Sequence, residues 1–185
     1  FVGHEHHFFR HGYYDDGLNA YPDNASRFGF FSKAVLQICR ALDWTPDIFH
    51  SNDWHTALVP FYLKQAQLEN KDFLKSSSVL TIHNAGYQGD APGIFRHSLG
   101  IPLENFVLEM FEDHGNLNLL KGGINFADQV NTVSPGYAEE MKTPLGSHGL
   151  YDTYLRKGEN FSGILNGCDY DEWDPETDPH LPANF

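Results

Sequence analysis

Three short stretches of this sequence carry side chains that could do chemistry: Asp53-Trp54-His55, His83-Asn84 and Asn166-Gly167. Each follows a short apolar run, Ile48-Phe49, Val79-Leu80-Thr81-Ile82 or Ile164-Leu165. If these runs are strands of one parallel sheet, their polar exits converge beyond the carboxyl ends, where ligands collect in open α/β sheets. Each residue also has a purely structural use. Asp53 precedes an apolar helix and can cap it. His83 can bond a neighbouring loop carbonyl, Trp54 can belong to the core, and Asn166 before Gly167 can be a turn residue.

Other chemistries find less support. His50, Asp53, His55 and His83 invite a metal reading, because imidazole and carboxylate are common zinc ligands. Neither a His-Glu-x-x-His helix nor a cysteine pair fixes their geometry. The run His4-Glu5-His6-His7 is also rich in ligands, but extended alternation would put His4 and His6 on one face and His7 on the other. No metal and no cofactor is therefore expected. Asp15-Asp16, Asp171-Glu172 and Asp174 supply acidic pairs. Nothing marks one of them as the raised-pKa acid that ordinary glycoside hydrolysis needs opposite a second carboxylate. There is no serine-centred nucleophile elbow and no Gly-x-x-x-x-Gly-Lys phosphate loop. The nearest approach, Lys121-Gly122-Gly123, follows a helical pattern rather than a strand.

The elements that must position the three exits alternate along the chain. Residues 1–9 read as a strand remnant, followed by an ordered loop with paired tyrosines. Asp23 or Asn24 can cap a helix whose apolar residues Phe28, Phe31, Val35, Ile38 and Leu42 recur at spacings of three and four. That helix ends near Asp43, since Pro46 prevents continuation. Residues 47–50 read as a strand, 51–53 as its exit loop, and 54–67 as a helix that accepts Pro60 near its first turns. Residues 79–83 form the next strand, apolar on successive positions as expected where both faces are covered. Helices are predicted over 103–112 and 117–127, a strand over 129–133, a short helix over 137–141 and a last strand and turn over 163–167. Strands alternating with helices imply a parallel sheet with right-handed crossovers.

At 185 residues the chain is long enough for one domain that buries about 70% of its unfolded surface. Its formal charge of -13, from 25 acidic against 12 basic side chains, argues against nucleic-acid or anionic-membrane partners. No apolar run approaches the roughly 20 residues of a membrane helix, and the start does not resemble a signal peptide. Cys39 and Cys168 belong to no paired spacing, which suits reduced thiols in a cytoplasm-like compartment. Phe1 opens inside an apolar run without a methionine, as in a piece of a longer protein. Aromatic residues make up 15% of the chain; their faces suit a core, an interface or a sugar-binding groove equally well.

A family resemblance rests on six ordered blocks. They are Tyr21-Pro22-Asp23-Asn24-Ala25-x-Arg27-Phe28; Pro46-Asp47-Ile48-x-His50-x-x-Asp53-Trp54-His55-Thr56-Ala57-Leu58-Val59-Pro60-x-Tyr62-Leu63; and Thr81-Ile82-His83-Asn84-x-x-Tyr87-Gln88-Gly89. The others are Leu120-Lys121-Gly122-Gly123-Ile124-x-x-Ala127-Asp128, Asn131-Thr132-Val133-Ser134-Pro135-x-Tyr137 and Gly163-Ile164-Leu165-Asn166-Gly167-x-Asp169. Spanning nearly the whole chain, these resemble the bacterial glycogen synthase and plant starch synthase family.

The resemblance implies one half of a GT-B glycosyltransferase: a Rossmann-like α/β domain, a parallel sheet with helices on both faces, on the acceptor side of a two-domain cleft. It implies glucose transfer from ADP-glucose, or UDP-glucose, to the non-reducing end of an α-1,4-glucan, with retention. By match to family motifs, Asp53 and Trp54 would line the sugar site and His83-Asn84 would contact the transferred glucose. The backbone carbonyl beside His83 would help stabilise the oxocarbenium-like centre. Tyr14 and Asn166 match positions near the acceptor cleft.

Departures from the pattern limit that implication. The Lys-x-Gly-Gly-Leu loop that contacts the nucleotide is absent, as is the second domain with its diphosphate-holding Arg and Lys. Glu104 and Glu112 share the family's Glu-x7-Glu spacing only by coincidence. With a charge of -13 and no phosphate site, the chain alone is expected to be inactive. Two other readings stay open: a metal-dependent hydrolase using Asp53, His55 and His83, and a non-catalytic glucan-binding module with its aromatics as the platform.

Overall fold

The computed structural model describes residues 2–69 and 71–185. In chain order, a single helical turn α1 (Glu5–Phe8) precedes the long α2 (Asn24–Ala41), then β1 (Ile48–Asn52), the short α3 (Asp53–Thr56) and α4 (Leu58–Glu69). After β2 (Ser77–Ile82) comes an insertion of β3 (Asp90–Pro92), α5 (Arg96–Leu99), β4 (Glu112–Asp113) and β5 (Asn116–Asn118). The chain continues through α6 (Leu119–Phe126), β6 (Gln129–Thr132), α7 (Pro135–Met141), α8 (Tyr151–Lys157) and β7 (Phe161–Gly163).

The main sheet has the order β1-β2-β6-β7, every neighbour parallel. Register runs from Ile48 opposite Ser77 to Asn52 opposite Thr81, and from Val79 opposite Gln129 to Ile82 opposite Thr132. Because sequence order and spatial order advance together, right-handed crossovers place the connecting helices on one face. The burial agrees. Phe49, Ser51, Ser78, Leu80, Ile82, Val130, Thr132 and Phe161 are buried. On the opposite face Ile48, His50 and Asn52 are exposed, and Val79, Thr81 and Asn131 are only half-buried. The α/β parallel sheet is present as expected. Among the described residues, however, its helices cover one face, because a second layer requires the strand order to reverse.

Trp54 packs against both hydrophobic clusters of the core and so joins them. Small residues set the helix spacing. The buried face of α2 is Ala25, Gly29, Ser32, Leu36 and Cys39, whereas Phe31, Ile38 and Leu42, predicted to face inward, are exposed. A Cβ on Gly29 would lie 2.2 Å from Leu99 of α5, so the close approach selects the small stripe over the large one. In α6 a Cβ on Gly122 would lie 1.8 Å from the Phe111 ring, and one on Gly123 2.6 Å from the Ala57 Cβ. Lys121-Gly122-Gly123 is therefore a helix-packing motif. The Lys121 ammonium is buried, donating to the Glu112 carbonyl at 2.8 Å.

Four predicted elements need correction. The predicted strand at the start is the α1 turn, with Phe1 outside the described residues. The predicted helix over 103–112 is a turn at Leu103–Asn105 followed by β4. Its apolar spacing is misleading because His114 and Gly115, at φ +49° and +84°, make a two-residue hairpin turn into β5. The helix predicted from residue 117 begins at Leu119, where the Asn118 side chain accepts from Lys121 N–H at 2.8 Å. The last strand spans Phe161–Gly163 rather than residues 163–167.

Candidate active site

The carboxyl ends of β1 and β2 bring Asp53 and His83 together. Asp53 Oδ1 accepts the His83 backbone N–H at 2.8 Å, which ties the first residue after β2 to the first after β1. Asp53 does not cap the helix. The turn is closed by Thr56, whose hydroxyl donates to the Asn52 carbonyl at 2.7 Å and accepts the Asn52 N–H at 2.6 Å. Asp53 itself sits at φ +56°, a left-handed conformation uncommon outside glycine, asparagine and aspartate. The His83 imidazole Nε2 lies 3.1 Å from the Asn52 side-chain oxygen, so ring and backbone are both held by residues at the β1 exit.

Beside this pair lies a cavity of about 570 Å³ lined by Tyr14, Asp15, Asn24, Asp53, Trp54, His55, Asn84 and Tyr87. Its volume falls in the range of small-ligand sites. One wall is aromatic. The Trp54 and His55 rings lie 4.2 Å apart, His55 and Tyr14 4.9 Å, and Phe28 backs Trp54 edge-on at 4.8 Å. Gly89, at φ +70°, backs the indole closely enough that a Cβ there would come 2.4 Å from it. Tyr14 is exposed but fixed through its carbonyl, which accepts from Tyr21 N–H at 3.0 Å and from the Asn24 amide at 2.9 Å. Buried Arg27 of α2 steadies the same loop, donating to the carbonyls of His7 at 2.7 Å and Tyr13 at 2.9 Å. The Asn84 side chain accepts from Gly86 N–H at 2.9 Å, closing its loop. Burial pushes the His55 imidazole below its ordinary pKa, while Asp53 partly counters the shift. The ring thus favours its neutral form, able to donate from one nitrogen and accept at the other.

Of the sequence-predicted residues, Tyr14, Asp53, Trp54 and Asn84 line this cavity. His83 joins it through the Asp53 bond. Asn166 does not line it; it follows β7 in an exposed irregular segment, and β6 and β2 separate that strand from β1.

The proposed metal constellation does not assemble. Among the described residues, the group whose ligand atoms lie close enough for one cation is His6, His7 and Asp23, within 4.8 Å. There the Asp23 carboxylate is gripped by Arg10 at 2.6 and 2.7 Å, so its charge is already balanced. The α1 turn also stacks His4 on His7 at 4.3 Å instead of separating them by strand alternation.

Comparison with known proteins shows the family. Residues 1–157 match the family described as "Starch synthase catalytic domain". The chain belongs to that family. Glycogen synthase of Vibrio cholerae serotype O1 is 48% identical over 182 residues, which is 96% of this chain and 37% of that protein. Glycogen synthase of Thermodesulfovibrio yellowstonii is 43% identical over 185 residues, 100% of this chain and 37% of that protein. The solved catalytic domain of starch synthase IV from Arabidopsis thaliana, bound to ADP and acarbose, aligns with a TM-score of 0.76 at 35% identity. It covers 92% of this chain and 35% of its own. The chain therefore spans little more than a third of the relatives it matches.

For this synthase-family chain, sequence reasoning placed His55 at the β1 exit but missed Asp15, Asn24 and Tyr87 as cavity residues. His55 and Tyr87 were visible, lying within two residues of Trp54 and within four of His83 in the quoted blocks. The role of Asn24 carried no local signal, because it acts by fixing the Tyr14 carbonyl.

Proposed function

We propose that this chain supplies the acceptor-side half of a glucosyltransferase centre. The complete enzyme would transfer glucose from ADP-glucose, or UDP-glucose, to the non-reducing end of an α-1,4-glucan with retention. The observation that carries the reading is the Asp53–His83 bond at the mouth of an aromatic-walled cavity. Trp54, His55 and Tyr14 offer faces for a glucose ring, and Asn84 and Asp53 offer hydrogen-bonding groups for its hydroxyls. Held rigidly, such groups stabilise charge that develops at the anomeric centre only in the transition state, which accelerates transfer where equal ground-state binding would not. The His83 backbone carbonyl and Asn166 belong to the same proposal, the latter as a contact farther along the acceptor.

The chain alone is inactive in this reading, since nothing lining the cavity is a lysine or arginine that could hold a diphosphate. Maltoheptaose titrated against the chain should quench tryptophan fluorescence, and Trp54→Ala should abolish the response. Radiolabelled ADP-glucose should yield no labelled glucan with these 185 residues. Transfer by the isolated chain, or a maltoheptaose response indifferent to Trp54→Ala, overturns the proposal.

A further inference from the structure

The loop after β2 is fastened by side chains from separate parts of the chain. Thr132 Oγ1 donates to the Ile82 carbonyl at 2.7 Å, Asp53 accepts from His83 N–H at 2.8 Å, and the Gln88 amide donates to the Ala85 carbonyl at 2.9 Å. A further fastening is Tyr137 Oη, which accepts the Ala85 N–H at 3.1 Å. Ala85 is fully buried at 0% exposure, so an amide deprived of that oxygen has no water to turn to. Tyr137 is itself well placed. Its own N–H donates to Ser134 Oγ at 2.9 Å at the α7 start, Pro135 occupies the first turn, and its ring packs on the core.

We infer that Tyr137 is a positioning residue, setting the place of Asn84 and of the His83 backbone through the Ala85 amide. It does not line the cavity, and it acts only through the loop. The inference rests on the transferase reading for its catalytic meaning and on geometry alone for its structural part. A misplacement of about 1 Å in a reacting constellation can cost on the order of 100-fold in rate, so a hydroxyl outside the cavity can matter.

Two variants separate the hydroxyl from the ring. In Tyr137→Phe the Ala85 amide exchanges with solvent at least about tenfold faster while global melting stays close to the parent, because one buried donor is orphaned and the packing kept. Tyr137→Leu accelerates the same amide and also lowers the melting temperature. When residues 1–185 replace the matching segment of a full-length glycogen synthase, Tyr137→Phe lowers kcat by about tenfold or more and leaves KM for the nucleotide sugar unchanged. Unchanged Ala85 exchange in Tyr137→Phe overturns the positioning role, as does a chimera whose kcat ignores the substitution. A chimera with Tyr137 that transfers no glucose counts against the transferase reading, and the exchange measurement then decides the positioning role by itself.

Discussion

Asp53 joins two loads in one residue: a left-handed backbone at φ +56° and the acceptor for His83 N–H at 2.8 Å. Three substitutions separate them. Alanine keeps the Cβ that Asp53 already carries in left-handed geometry but lacks the polar side chain that makes aspartate more tolerant of it, so only part of the about 1–2 kcal/mol cost is new. It also loses about 0.5–1.5 kcal/mol for the hydrogen bond, whose donor residue is solvent-exposed. Asp53→Ala should therefore lose about 1–2 kcal/mol. Glycine removes the backbone strain but adds about 0.5–1 kcal/mol of chain entropy, so Asp53→Gly should be milder than alanine by up to about 1 kcal/mol. Asparagine tolerates the left-handed region and keeps an oxygen at the same place, so Asp53→Asn should lose under about 1 kcal/mol. Urea denaturation gives the order Asn, then Gly, then Ala, and amide exchange at His83 reads the hydrogen bond separately: fast in Ala and Gly, protected in Asn. If glycine falls below alanine by about 0.5–1 kcal/mol, the left-handed backbone carries no strain, since only the chain-entropy cost of glycine is left. If asparagine falls as far as alanine, the bond depends on charge rather than on an oxygen at that position.

Two further predictions concern groups the site leaves in unusual surroundings. The Tyr154 hydroxyl is buried with no hydrogen-bond partner among the described residues, so Tyr154→Phe should hold stability level or raise it by up to about 1 kcal/mol in the same urea assay; a loss above that size would show a partner for the hydroxyl. Burial lowers the pKa of both His55 and His7, helped at His7 by its neighbours His4 and His6. Below the ordinary histidine pKa the unfolded chain takes up these protons before the folded one. Stability should be full above about pH 6.5 and decline as pH falls toward the lowered folded values, and His55→Gln should flatten that decline in urea midpoints measured from pH 7.5 to 5.

What the sequence revealed followed local rules, and what it hid depended on partners distant in the chain. The β2 run and its polar exit were legible because a short β-branched stretch breaking into Asn-Ala-Gly is a strand end under any tertiary context. The inward face of α2 was not, since its small residues are buried by neighbouring elements, Gly29 by Leu99 of α5 and Ser32 at the His55 carbonyl of α3, not by their own hydrophobicity. The hairpin at His114-Gly115 was hidden because histidine is not the asparagine or aspartate that usually announces such a turn. At the site, sequence placed Asp53 and His83 at neighbouring strand exits but offered helix capping as an equal use for Asp53. Only the register that sets Asn52 opposite Thr81 brings the carboxylate to the His83 amide and leaves capping of the turn to Thr56.

The charges around the cavity bear on the proposed donor. A nucleotide diphosphate requires cations, and several basic groups on the described residues are committed elsewhere. Arg10 is paired with Asp23 and the His6 carbonyl, and Arg27 is buried against the His7 and Tyr13 carbonyls. Lys121 is buried beside Glu112 and Asp113, and Lys64 is bonded to Asp128 at 2.6 Å at the far end of the sheet. The cavity wall instead presents Asp15 and Asp53, whose charge repels phosphate and suits hydroxyls. Freeing one of these cations would not create a diphosphate site, because each closes a buried or half-buried carbonyl or carboxylate that would then be unpaired. In the proposed transfer the basic groups for a donor would therefore come from outside these residues, whose part would be to hold a sugar ring and fix the loop that meets it.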